Sequence, residues 1–448
     1  MQKDKLFWIW LAEALGCASK DFRRLISLYE SPYELFHAED AEIERIENLP
    51  KRTIRALTDK SLTRATEIFD RCEQLGIDVL PYGTPNYPEA FYDLKNPPIL
   101  LYYKGCLPDF SRRLSIGMVG TRKMSEYGLR AAYKISYELA AAGAIVVSGM
   151  AAGIDGVSSA GALAANGTTV AILGCGIDVV YPRHHKGLRD EILKSGVILS
   201  EYAPGTRPNS YHFPTRNRLI AGLSQGVMVV EAGIGSGSLI TAKDAVVMGK
   251  DVFALPANVG SVGAEGTNGL LRDGARPVMT TEDLLNPYLF LYSETLSLEA
   301  LQKVGTRSRA DLHFLDRLGV IELTVKSEGE PTRHESLAVP VPKPQKEKKH
   351  SCKKTSDTVK AQADSTEKTT AEKENRKTAG VKTTPDEVLS TLSPVQLAIM
   401  NAIPDDHGVT ADSLANLGYP YGEISSALTM LEILGLVQKL PGAIYVKI

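Results

Sequence analysis

Between Ser115 and Ala257 one unit repeats six times: a short, mostly apolar strand, a glycine-rich turn, then a helix. The strands read IGMVG (116–120), AIVVSG (144–149), TTVAILG (168–174), VILSEY (197–202), VMVVEA (227–232) and DVFALPA (251–257). Apolar runs without polar alternation belong to strands buried on both faces, as in parallel sheets covered by helices. The pattern predicts an α/β fold, a Rossmann-like doubly wound parallel sheet. In such a sheet ligands bind outside the carboxyl ends of the strands. Nearly every unusual residue of this region falls in the turns at that end.

The most informative stretch is Phe213 to Leu239, FPTRNRLIAGLSQGVMVVEAGIGSGSL. Arg216, Asn217 and Arg218 open a helix-like run, Val227 to Val230 form a buried strand, and Glu231 leads into a turn of glycine and serine containing Ser236, Gly237 and Ser238. Bare backbone N–H groups converge at such a turn and favour phosphate. Arginines beside it imply an anionic ligand. The first turn, Gly120-Thr121-Arg122, lacks the GxGxxG pattern and an acidic residue for a ribose, so no dinucleotide cofactor is expected. Arg122 reads either as a solvated side chain or as a phosphate clamp. In the second turn Gly149 and Gly153 let backbone approach a ligand, and Asp155 serves as a helix N-cap or lines the same site. Tyr181 and Phe213, each followed by proline, are rim packing or base-stacking platforms, the latter worth about 1–3 kcal/mol per base.

Catalytic chemistry is hard to build from these residues. Glu201 and Glu231 follow strands and suit a general base, but spacing supplies no nucleophile, metal-ligand set or partner carboxylate. His184, His185 and His212 lie in loops and read as solvated. The five cysteines show neither pairing nor metal spacing, which fits a reducing compartment. The apolar run in MQKDKLFWIWLAEALG is too short for a signal peptide or membrane span, so a soluble, cytoplasmic protein without membrane contact is expected.

The chain divides into five parts. Residues 1–78 are expected to form a small helical domain, with a helix-hairpin-helix-like segment at Ile46–Lys51 that lacks the usual glycines. Residues 79–290 are the Rossmann-like domain, entered through a segment with five prolines (80–105) that closes on a short strand, Ile99–Tyr103. Residues 291–325 form a helical extension of unassigned role. Residues 326–387 are a basic linker; from Lys343 to Lys382 twelve Lys/Arg stand against six Asp/Glu, with too few large apolar side chains for a core. The net charge of the whole is −2, so the remainder is acidic and any anion site there is a local patch. Residues 388–448 read as a winged helix whose third helix, Glu423–Leu434, has no Lys or Arg, with a wing through Pro441-Gly442. A groove-reading helix needs positive charge, so a protein contact or packing role is at least as well supported.

The ordered series Val119-Gly120-Thr121-Arg122, Ser148 to Asp155, Gly174-Cys175-Gly176-Ile177-Asp178, Ser200-Glu201-Tyr202, Phe213 to Ser224 and Ser236 to Ala242 resembles the DNA-processing protein A (DprA/Smf) family. The resemblance implies a cytoplasmic dimer that binds single-stranded DNA without sequence preference, protects incoming DNA and loads RecA recombinase in natural transformation, with no catalytic activity and no cofactor or metal. By motif, Arg122, Arg216 and Arg218 would hold phosphates. Gly120, Thr121, Gly149, Gly153, Asp155, Phe213, Asn217 and Ser236-Gly237-Ser238 would line the groove, and Lys250 would add charge. Two positions depart from the family pattern: Ser158-Ser159 replace Ala-His, and Pro256-Ala257 replaces Pro-Gly. The alternative is an enzyme that hydrolyses nucleotide N-glycosidic bonds with Glu231 as its base.

Overall fold

A computed structural model describes residues 2–261, 263–322, 392–404, 409–410, 413–419, 421–433, 436–440 and 444–447. The chain forms two compact units, divided between Glu335 and Ser336. The predicted linker, Leu434 and the wing tip Pro441-Gly442 lie outside the described residues.

The first unit is built on a nine-stranded sheet. Its strands are β1 (Asp78–Pro81), β2 (Leu100–Gly105), β3 (Ser115–Val119), β4 (Ile145–Ser148), β5 (Thr169–Leu173), β6 (Val197–Ser200), β7 (Gly226–Val229), β8 (Asp251–Ala254) and β9 (Arg276–Pro277). They stand in the order β1-β2-β6-β5-β4-β3-β7-β8-β9. From β6 to β9 every pair is parallel; β2 joins β6, and β1 joins β2, antiparallel. The chain steps outward from β3 through β4 and β5 to β6, then returns to the other side of β3 at β7. That reversal is the topological switch point of the predicted doubly wound sheet.

Alternation of side chains across the pleat assigns residues to the two faces. Ile116, Met118, Val146 and Ala171 join one core with the helices Glu126–Ala141, Ile154–Ala164 and Lys186–Ser195. Val119, Ile145, Val147, Val170 and Ile172 join the other with His212–Leu223 and Gly237–Val247. Each fully buried aliphatic side chain of this kind contributes about 1.5–3 kcal/mol. Both faces are covered, which is why the strands read as continuous apolar runs.

Residues 291–322 pack onto the first core. Leu296, Leu301, Leu315 and Leu318 are buried there. Ser308 donates to Glu138 Oε1 (2.9 Å) and Thr281 to Glu138 Oε2 (2.6 Å), so the carboxylate of a sheet-covering helix anchors this stretch. The N-terminal part has six helices between Gln2 and Leu75. Ile46–Lys51 connects Asp40–Glu44 to Lys51–Thr58 and turns through Asn48 at a positive φ of 59°. In the second unit the helices Pro394–Ala402 and Tyr421–Ile433 enclose Ile399, Ile424, Leu428 and Leu431 beside a three-stranded sheet. The expected second helix is a single 3₁₀ turn, Ser413–Leu417.

Candidate nucleic-acid interface

An open crevice of about 450 Å³ lies at the carboxyl ends of β3, β4 and β7. Val119 and Gly120 form part of its wall. The turn after β3 runs so close to the helix Ile154–Ala164 that a Cβ on Gly120 would stand 2.6 Å from Ile154 Cγ1. The helix Gly237–Val247 begins at the opposite wall. Its N-cap, Ser236, caps no backbone N–H, and its first turn holds no acid; the hydroxyls of Ser236 and Ser238 pair with each other (2.8 Å). The positive end of an eleven-residue helix therefore faces the crevice uncompensated. Asn217 ties this helix to its neighbour, donating from Nδ2 to the Gly237 carbonyl (3.2 Å).

Arg216 lies deep in the same crevice, 4% exposed. Its Nη1 donates to the carbonyls of Gly149 (2.8 Å) and Ile172, and its Nε to Asn217 Oδ1 (3.1 Å). Among the described residues Nη2 has no hydrogen-bond partner. Asp155, 6% exposed, accepts from the Gly149 N–H (3.2 Å). It is no N-cap: the helix starts at Ile154, with Gly153 as cap, and Asp155 sits in its first turn. Burial pushes the Asp155 carboxyl up against the opposing pull of Arg216, and burial lowers the Arg216 guanidinium while Asp155 raises it. A buried cation is thus held by carbonyls, an amide and a nearby acid, with one nitrogen left for a ligand.

Arg122 is exposed and reaches back over Phe213, its guanidinium carbon 4.9 Å from the ring centroid. Phe213 in turn lies 5.5 Å from Tyr181, the rings tilted by 32°. A cation over an aromatic ring keeps its charge while its side chain is positioned. Both aromatics line the crevice and pack against each other.

Other expected site residues lie elsewhere. Arg218 is two positions from Arg216, and residues two apart on a helix do not share a face. It points away from the crevice, pairing with Glu201 Oε2 (2.5 Å) and donating to the Asn96 carbonyl (2.7 Å). Lys250 precedes β8 and so stands at the amino ends of the strands, the end opposite the crevice. Thr121 supports the wall without lining it: its N–H donates to the Glu231 carbonyl (2.7 Å) and its carbonyl accepts from Ile154 (3.2 Å). Gly153 supplies a positive φ of 81° at the helix entry. Glu231 is directed away from the crevice, and its Oε2 accepts from the N–H (2.9 Å) and hydroxyl (3.0 Å) of Ser125.

The histidines are not all solvated. His184 is exposed, but His185 is fully buried, its Nδ1 3.1 Å from the Met150 carbonyl, and burial lowers its pKa to about 4. His212 is half-buried and stacks on Tyr202. Sequence reading missed Pro208 and Ser210, contributed by the loop after β6, and Thr241 in the helix Gly237–Val247. The proline- and glycine-rich composition of 204–210 marks a turn but not which wall it covers.

The family described as DNA recombination-mediator protein A matches residues 78–288. DNA processing protein DprA of Bacillus subtilis is 39% identical over 209 residues, which cover 47% of this chain and 70% of that one. The chain belongs to the DprA/Smf family. Its residues 383–443 match the DprA winged helix domain, so the helices and small sheet of the second unit are that module. Protein Smf of Synechocystis is 29% identical over 451 residues, 99% of this chain and 98% of that protein. The structure of DprA from Streptococcus pneumoniae is 31% identical and covers 63% of this chain and 97% of its own, with a TM-score of 0.56. Within the DprA/Smf fold, the crevice is therefore carried by the part of the chain the family shares. Among the described residues no helix is long and apolar enough to cross a membrane.

Proposed function

We propose that this chain binds single-stranded DNA in the crevice through the sugar–phosphate backbone, a contact that reads no sequence. The observation that carries the reading is the convergence of Arg122, Arg216 and the uncapped helix start at Ser236–Ser238 on one open cleft. Charged hydrogen bonds of this kind contribute about 1.5–3 kcal/mol each and require only an anion, not a particular base. The cleft is open to solvent, and Phe213 lines it as an aromatic side chain against which bases of any identity can stack. The orientation of Glu231 away from the arginines favours binding over catalysis.

Family membership extends the reading. As a recombination mediator the protein protects incoming single strands during natural transformation and loads RecA recombinase onto them, acting in the cytoplasm as a homodimer and without a cofactor. The deciding measurement is fluorescence anisotropy with labelled oligo-dT, competed by unlabelled duplex and followed by RecA filament assembly on the bound strand. Saturable binding that single strands displace better than duplex is expected. Binding to duplex alone would sink the proposal.

A further inference from the structure

A second cavity, about 420 Å³, opens on the other side of the β3 turn from the arginine crevice. Its walls are the start of the helix Glu126–Ala141 and the loop after β8; Tyr127, Glu231, Pro256 and Asn258 line it. That volume falls within the ~300–1,000 Å³ of pockets that take small organic ligands. Only one layer of backbone separates it from the crevice. The Glu231 carbonyl, which accepts from the Thr121 N–H, would lie 2.9 Å from a Cβ on Gly120, a residue of the crevice wall. Both cavities are thus lined by residues that follow β3 and β7, at the switch point of the sheet.

Two features make this cavity a built site. The first is Tyr127, 51% exposed, whose hydroxyl donates to the Pro256 carbonyl (2.9 Å) and so spans the cavity from helix to loop. A large ring held half in water by its own hydroxyl gives a fixed stacking surface. The second is the slot cleared for the Glu231 carboxylate. A side chain on Gly128 would collide with Oε2, and one on Gly263 with Oε1. Oε2 fixes the helix start through Ser125, which accounts for half of the carboxylate. Oε1 accepts no hydrogen bond among the described residues, although Glu231 is only 9% exposed.

Resting on the single-strand reading above, we propose that this cavity is a nucleobase subsite selective for guanine, stacked on Tyr127 and read by Glu231. An ionised carboxylate is an acceptor only. The Watson–Crick edge of guanine offers adjacent N–H donors at N1 and N2, which can converge on the one free oxygen, Oε1. Adenine and cytosine offer one amino group beside an acceptor. Thymine presents its single N–H between two carbonyl oxygens, both repelled by the carboxylate. Unpaired bases are read on this edge while stacked on aromatic side chains. The crevice holds the backbone of any sequence, and the subsite adds a bias for one base.

The test is anisotropy with oligo-dT and with an equal-length thymidine strand carrying isolated guanines, each measured on the full chain. The guanine strand should bind roughly tenfold more tightly, the scale of one charged hydrogen bond. Tyr127→Ala and Glu231→Gln should remove that difference while leaving oligo-dT binding unchanged. Equal binding of both strands by the unmodified protein would overturn the subsite and leave the backbone reading standing. A guanine preference that survives in Tyr127→Ala would also overturn it, since the base would then be read elsewhere. Failure to bind either strand would overturn the backbone reading and the subsite with it.

Discussion

No side chain fits at Gly149, because the guanidinium of Arg216 occupies the space its Cβ would take. The Gly149 carbonyl accepts from Arg216 and its N–H donates to Asp155, so this residue is held between a buried cation and a buried acid. The glycine is needed for room rather than for an unusual φ. Gly149→Ala should push the guanidinium from its seat and weaken oligo-dT binding as much as Arg216→Ala does, by about 1.5–3 kcal/mol. Anisotropy on the two variants makes the comparison. Undiminished affinity in Gly149→Ala would show that the seated guanidinium is not what the strand meets.

Arg218 gives the opposite expectation. It pairs with Glu201, the two side chains 13% and 5% exposed, and the other oxygen of Glu201 accepts from the Ala18 N–H (3.0 Å). This pair joins the N-terminal helices to the sheet. Arg218→Ala leaves a buried carboxylate without its cation, a loss of about 3–5 kcal/mol in comparable buried pairs. Its thermal midpoint should fall well below that of Arg122→Ala, while the affinity of the folded fraction for oligo-dT stays at the unmodified value. A selective loss of affinity with normal stability would return Arg218 to the binding surface.

Salt dependence counts the cations that meet phosphate. For single strands, log affinity falls with log salt by about 0.7 per phosphate neutralised. Arg122→Ala and Arg216→Ala should each make the slope shallower by about that amount. Lys250→Ala should leave it unchanged, since that residue sits at the far end of the strands. A shallower slope in Lys250→Ala would mean that the strand wraps around the sheet.

These contrasts show what the sequence can express. Strand positions and the doubly wound order were legible because the central strands β3 to β7 are buried on both faces and leave continuous apolar runs. The glycine turns marked the end of the sheet on which the crevice opens. Side-chain direction was less legible. Arg216 and Arg218 look equivalent in FPTRNR, yet helical geometry sends one into the crevice and the other to Glu201. Helical spacing carries that distinction, and charge alone does not. The position of Lys250 just before β8 likewise puts it at the amino ends. The burial of His185 depends on a 3₁₀ turn and on long-range contacts that no local pattern encodes.

His185 sets an acid limit on stability. Its pKa in the fold is lowered to about 4 by burial, against about 6.5 when unfolded. Between those values the unfolded chain binds the extra proton, so stability falls as pH falls through this window and is fully present above it. At ~1.4 kcal/mol per unit, going from pH 7 to pH 5 should cost about 2 kcal/mol through this residue. Urea denaturation at both pH values, compared with His185→Gln, isolates the effect. The variant should lose less stability on acidification. An identical loss in both proteins would show that His185 is already protonated or solvent-accessible in the fold.

Glu231 separates a strand binder from an enzyme. A general base for N-glycosidic hydrolysis must reach a sugar-bound water or the sugar itself, and the phosphate of the same nucleotide must be held nearby. The arginines proposed to hold phosphate lie across the β3 turn from this carboxylate, and one of its oxygens is committed to the start of the helix Glu126–Ala141. Its carboxylate at a helix N-terminus is favoured electrostatically, so its removal should be felt first in stability. Glu231→Gln is expected to lower the thermal midpoint by a few degrees, to bind oligo-dT as the unmodified protein does, and to release no free base from nucleoside monophosphates. The unmodified protein should release none either. Base release that disappears in Glu231→Gln would make the carboxylate catalytic and the strand-binding crevice a substrate channel.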